Sequence, residues 1–192
     1  MRKELLIALC VLIFASCSKD DAIEDSESLK AQFQGKYELI SAESEIPVDM
    51  NMDGVNSTDL FKENTQLSEA AIMIKILDPE YEYHLFEEKW PMVSSQVSRD
   101  EAFDPNKEYS AYALGYDTYF NLGLFVFNAD HTEIHLLEDP DKNSVNTLLS
   151  FESVMVEGNE QIKVITLRNL YTKKGWIRTK IVSKYRRYTQ SL

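Results

Sequence analysis

Gly35 to Phe61 reads GKYELISAESEIPVDMNMDGVNSTDLF, and its two halves ask different things of the backbone. In the first half, Tyr37, Leu39 and Ser41 share one face of an extended chain, with Lys36, Glu38 and Ile40 on the other. That period of two predicts a strand over Lys36–Ser44 with one side turned to a core. The second half is acidic. Asp49, Asn51 and Asp53 stand at the first, third and fifth positions of a calcium loop, with Gly54 at the sixth, where the chain must turn sharply. Val55 would offer its carbonyl and Ser57 a hydroxyl or a bridged water. Position twelve, where a bidentate Glu belongs, is Leu60; Asp59 falls one place early and Glu63 three places late. Two readings stand. Asp49, Asn51, Asp53, Val55, Ser57 and Asp59 form a Ca2+ site of extracellular affinity, about 10⁻⁴–10⁻³ M. Alternatively the loop is an Asx-rich turn whose side chains bond their own backbone.

The alternation continues downstream. Glu69–Leu77 sets Ile72, Ile74 and Ile76 against Met73, Lys75 and Leu77, and Asp78-Pro79 breaks it. Tyr81–Phe86, Glu108–Leu114, Tyr119–Phe127, Thr132–Glu138, Leu148–Val156, Gln161–Leu170 and Trp176–Tyr188 read as further strands. Turns fall at Asn128-Ala129-Asp130, Glu157-Gly158-Asn159 and Lys173-Lys174-Gly175, with a loop at Asp139–Asn143. Short connections and no convincing helix predict an all-β fold, an up-and-down antiparallel β-barrel of 8–10 strands. The Trp90–Lys107 connection is long and polar, holds Pro91 and Pro105, and would sit as a lid over the mouth. Ser41, Thr166, Thr179, Ser183 and Tyr185 alternate with apolar neighbours, which would place a few polar groups inside.

Upstream, Met1–Ser16 reads MRKELLIALCVLIFAS, a positive start and a ten-residue apolar run, too short to span a bilayer. It is the pattern of a secretory signal peptide. Ser18–Lys30 is acidic and Ser-rich and predicts, after Cys17, a disordered tether over residues 17–30, with one domain from 31 to 192. Cys10 and Cys17 are the only cysteines, so the body has no disulfide and no Cys metal site.

The formal charge of −12 disfavours nucleic acid as a partner. The charge is uneven. Glu160–Leu192 holds nine basic residues and one acid, whereas Cys17–Glu157 holds thirty acids and nine bases. Either the basic strands lie beside acidic ones and cancel their field, or they form a basic face. HTEIH puts His131 and His135 on one side of a strand, but roughly 13 Å apart, too far for one ion.

Phe14, Ala15 and Ser16 before Cys17 resemble the bacterial lipobox, with Phe14 in the usual place of Leu, and Ser18-Lys19-Asp20-Asp21 resembles the export signal of surface lipoproteins. Gly35, Tyr37, Pro47, Val48, Asp49, Asn51, Asp53, Gly54, Ser57 and Thr58, with Lys184-Tyr185-Arg186-Arg187-Tyr188 in the last strand, resemble the lipocalin-like lipoproteins of Gram-negative bacteria; Tyr37 stands where lipocalins carry Trp. The resemblance implies acylation of Cys17, palmitate included, and anchoring in the outer membrane, at the cell surface or facing the periplasm. It implies a late basic residue, Arg186 or Arg187, packed over Tyr37, and a binding module without enzymatic activity. The expected partner is a small or extended apolar ligand inside the barrel. The alternative is a filled barrel acting as a surface adaptor through protein contacts. The ligand-binding residues are not legible at this level.

Overall fold

Among the described residues nine strands form, and eight of them close on themselves. The computed structural model describes residues 19–93, 115–137, 149–158, 160–172 and 175–192. The strands are β1 (Gly35–Val48), β2 (Ser57–Asp59), β3 (Ala71–Lys75), β4 (His84–Val93), β5 (Tyr116–Phe127), β6 (Glu133–Leu136), β7 (Leu149–Glu157), β8 (Gln161–Thr172) and β9 (Gly175–Thr189). From β3 onward each pairs antiparallel with the next, and β9 returns to β1. β2 is a short ribbon on the far end of β1. The result is a closed eight-stranded up-and-down antiparallel barrel. The leader at 1–16, Cys17, the strand expected at Glu108–Leu114, the Asp139–Asn143 loop and most of the Trp90–Lys107 connection lie outside the described residues.

Closure depends on β1, which pairs with β3 over Gly35–Glu38 and with β9 over Lys36–Ser44. At its start the chain runs so close to β9 that a Cβ on Gly35 would lie 2.1 Å from the Thr189 carbonyl oxygen, and Gly35 has φ +144°. Only glycine fits there. A bulge between Leu39 and Ser41 then shifts the phase of β1. Ala42 and Ser44 are therefore buried, and Ser41 does not join the interior as the simple alternation predicts. The other four polar positions read as inward, Thr166, Thr179, Ser183 and Tyr185, are all buried.

The described inward side chains pack on one another. Tyr37, Leu39, Ile72, Ile74, Phe86, Phe125, Ile134, Val154, Ile162, Val164 and Ile181 form one continuous core. Outside, the basic last strand lies among acids: Arg186 pairs with Glu38 at 2.9 Å, Lys184 with Glu157 at 3.0 Å and Lys180 with Glu152 at 2.8 Å. The uneven charge is thus spent across strands. Each such exposed pair contributes about 0–1 kcal/mol.

Four further expectations are corrected. Helix α1 (Lys19–Phe33) occupies most of the stretch read as a disordered tether. Its last turns bury Leu29 and Phe33, the Phe33 ring meets Phe127 at 4.6 Å, and the Tyr37 hydroxyl donates to the Phe33 carbonyl at 2.6 Å. Arg187 and Gln190 donate to the Ala31 carbonyl, satisfying the helix end. A polar segment thus orders because its two apolar residues seat on the barrel end and three side chains there, Tyr37, Arg187 and Gln190, donate to its last carbonyls. Second, the 81–86 strand begins only at His84 and runs on through Trp90 to Val93. Pro91 is tolerated because β4 has lost β3 beyond Lys89 and pairs there with β5 alone. Third, a short helix α2 (Leu60–Glu63) and a 3-10 turn (Thr65–Glu69) follow β2, where no helix is expected. His131 lies in a turn with φ 55°, not on a strand; its ring packs on Phe33 and Phe127, while half-exposed His135 on β6 stands by Glu133.

Candidate functional site

Alternation on β4 and β8 brings two charged residues inside. Glu88 follows Phe86 inward on β4 and is fully buried; Arg168 follows Thr166 on β8 and is 2% exposed. Glu88 Oε1 accepts from Arg168 Nη2 at 2.5 Å and from the Tyr185 hydroxyl at 3.1 Å, and Oε2 accepts from Asn121 Nδ2 at 3.2 Å. Arg168 Nε donates to Thr166 Oγ1 at 3.0 Å, and its guanidinium lies 4.0 Å over the Trp90 ring. Burial, with the Glu88 charge beside it, pushes the Tyr185 phenol well above its ordinary pKa, so it stays a donor. The pair is neutral as a unit. One donor is left over: Arg168 Nη1 is buried and has no acceptor.

Arg168 lies at the wall of a pocket at one end of the barrel, where Trp90, Val93, Tyr116, Tyr171 and Trp176 converge and Met50 and Met92 reach in. The Tyr171 and Trp176 rings meet at 5.1 Å. Trp176 Nε1, also buried, likewise has no partner. The two residues that carry these donors, Arg168 and Trp176, line the same pocket. Its enclosed space is about 20 Å³, room for a single water. A wider recess of about 390 Å³ lies on the outer wall, between the outward residues Glu38, Met73, Glu87, Phe120 and Tyr188.

The Asp49 loop sits beside this end, and Met50 belongs to both. Asp49 Oδ2 accepts from Gly54 N at 3.0 Å, Asn51 Oδ1 from Asp53 N at 3.0 Å, and Asp53 Oδ1 from Val55 N at 2.7 Å. Met52 and Gly54 have positive φ, which folds the loop back on itself. Ser57 and Asp59, read as possible ligands, are used elsewhere. Ser57 Oγ accepts from Asp59 N, while Asp59 caps α2 through Phe61 N and pairs with Lys62. Glu63 comes in instead. It is 3% exposed, and Oε2 accepts from Met50 N at 2.9 Å. Burial, with Asp49 and Asp53 adding their charge, raises its pKa. Among the described residues no three His, Cys, Asp or Glu side chains stand together as a finished metal site.

Of the two candidates for covering the first-strand aromatic, Arg187 is the one opposite Tyr37; Arg186 turns outward to Glu38. Arg187 is bonded to Glu160 as well as to the α1 carbonyls, and burial raises the Tyr37 phenol to about 12.

No family model and no curated protein matches the chain. Among solved structures it is similar to zebrafish ileal bile acid-binding protein complexed with cholic acid, at 9% identity and a TM-score of 0.30, over 80% of this chain and 97% of that one. Likeness at that level carries no functional argument.

Proposed function

We propose that this chain is a lipid-anchored, non-catalytic lipoprotein of the outer membrane, displayed at the cell surface, whose barrel binds a small apolar ligand at the Trp90 end. The observation that carries the ligand is the pair of buried donors without partners, Arg168 Nη1 and Trp176 Nε1, on two residues that line one largely apolar pocket. A buried N–H without an acceptor costs about 1–3 kcal/mol, and a ligand oxygen would recover it. Because Glu88 already neutralises Arg168, a second anion would bring uncompensated charge into the interior. The ligand that fits is an apolar body with an uncharged acceptor, such as a carbonyl or ester. Its body must displace the flexible side chains of Met50 and Met92, since the enclosed space holds only one water.

Mass spectrometry of lipids released from protein purified from membranes tests this. A defined neutral lipid should co-purify with the wild type, and Trp176→Phe, which keeps the ring and removes the donor, should retain about tenfold less. An empty protein, or a ligand indifferent to Trp176→Phe, would instead support the filled-barrel adaptor, which the close-packed interior favours.

Anchoring rests on Cys17 and the lipobox-like residues before it. Several acyl chains hold a protein stably where one does not. Cys17→Ser should leave the protein soluble and unlabelled by a palmitate analogue; a labelled, membrane-bound Cys17→Ser protein would end this reading. Protease shaving of intact cells should remove the domain, and full protection would place it on the periplasmic face.

A further inference from the structure

The Asp49 loop and α2 each hold a buried carboxylate without a basic partner among the described residues. Asp49 is 7% exposed and Glu63 is 3% exposed. Among the described residues neither forms an ion pair, and the neighbouring Lys62 turns outward to Asp59. Asp49 is anchored through Oδ2 alone; Oδ1 is enclosed and accepts no hydrogen bond. A carboxylate oxygen on a nine-tenths buried residue without a donor is costly, and a cation would satisfy it. This stands in contrast to Glu88, whose oxygens are all answered by Arg168, Tyr185 and Asn121.

We propose that Asp49 Oδ1, Glu63 and Asp53 hold one calcium ion, with the Asn51 side-chain oxygen and the Val55 carbonyl completing an all-oxygen cage. Glu63 then takes the part of the missing twelfth-position ligand. It stands three residues late because β2 and the start of α2 intervene, and α2 turns it back under Met50. The loop is pre-bent by the positive φ of Met52 and Gly54. Asp53, exposed and bonded only within the loop, is the ligand that must draw in. Oxygen donors without His or Cys suit calcium or magnesium rather than a transition metal. A cage of main-chain and side-chain oxygens on a flexible loop suits the larger ion.

The test is titration calorimetry on the mature chain with calcium alone and with magnesium alone, beside thermal melts in calcium and in chelator. Calcium should bind with one equivalent, at a Kd of about 10⁻⁴–10⁻³ M or tighter. At ten times Kd the melting temperature should rise by about 3–6 °C. Glu63→Gln keeps the side-chain acceptor for Met50 N but removes the charge, and should weaken binding at least tenfold. Asp53→Asn, at an exposed position where folding is not in question, should weaken it severalfold and decides the matter if Glu63→Gln does not fold. Asp59→Asn should leave Kd unchanged. No calcium response in the wild type, an unaltered Kd in both ligand variants, or an equal response to magnesium would overturn the proposal.

Discussion

Two clusters of buried charge lie at the same end of this barrel, and they are resolved in opposite ways. Glu88 is answered from within, by a guanidinium, a phenol and an amide. Asp49 and Glu63 are answered only by backbone N–H groups, and one oxygen is left bare. The difference comes from where the residues stand. Glu88 is in mid-strand, facing three other strands whose inward positions can carry partners. Asp49 and Glu63 flank a loop and a short helix, where the near neighbours are main chain. A charge facing several strands finds a partner inside the protein, and one at a loop end must find it in solvent or in a bound ion.

The largest effect follows from breaking the internal pair. Arg168→Met leaves Glu88 buried and alone and should cost about 3–5 kcal/mol in chemical denaturation. The double variant Glu88→Gln, Arg168→Met should recover most of that, and equal losses in single and double variants would show that packing on Trp90, not charge, is what matters. Next, Tyr185→Phe removes one neutral donor to Glu88 and should cost about 1.5–3 kcal/mol, the range for hydrogen bonds to charged groups. Glu63→Gln in chelator should by contrast change stability by less than about 1 kcal/mol, because the charge it removes has no internal partner and its hydrogen bond survives. A loss as large as that of Arg168→Met would mean the loop carboxylates are already paired.

The smallest effect is a titration. His84 is half-buried, and Leu77 N donates to its Nδ1 at 3.3 Å. Burial first, and His131 second, lower its pKa. The unfolded chain therefore binds the proton more readily, and stability should fall as pH drops through and below the ordinary histidine value of about 6.5. His84→Phe should flatten that part of the pH profile; an unchanged profile would assign it to other groups.

Particular residues show how much the sequence carried. The inward run Ile72, Ile74, Ile76 and the buried polar positions Thr166, Thr179, Ser183 and Tyr185 are readable because alternation is a local property of a strand. Ser41 misleads because one bulge in β1, between Leu39 and Ser41 opposite β9, shifts the phase. Asp49, Asn51, Asp53 and Gly54 are readable as a loop that folds back, since their spacing alone sets which side chains can reach which backbone groups. Glu63 is readable as an acid three places beyond the loop's last ligand position, but its burial under Met50 depends on the turn of α2.

By itself, then, the chain determined a meander of strands, their inward faces and an acidic turn, all of which depend on neighbours a few residues away. Only the tertiary structure decided that Glu88, of so many acids, is buried inside the barrel with Arg168 as its partner. Those two lie 80 residues apart, and Tyr185 lies 97 from Glu88. Long-range charge pairing has no local signature, because it exists only once β4, β8 and β9 face one another across a closed barrel. The same holds for α1: its polar sequence gives no reason to order until the barrel end offers Arg187 and a seat for Phe33.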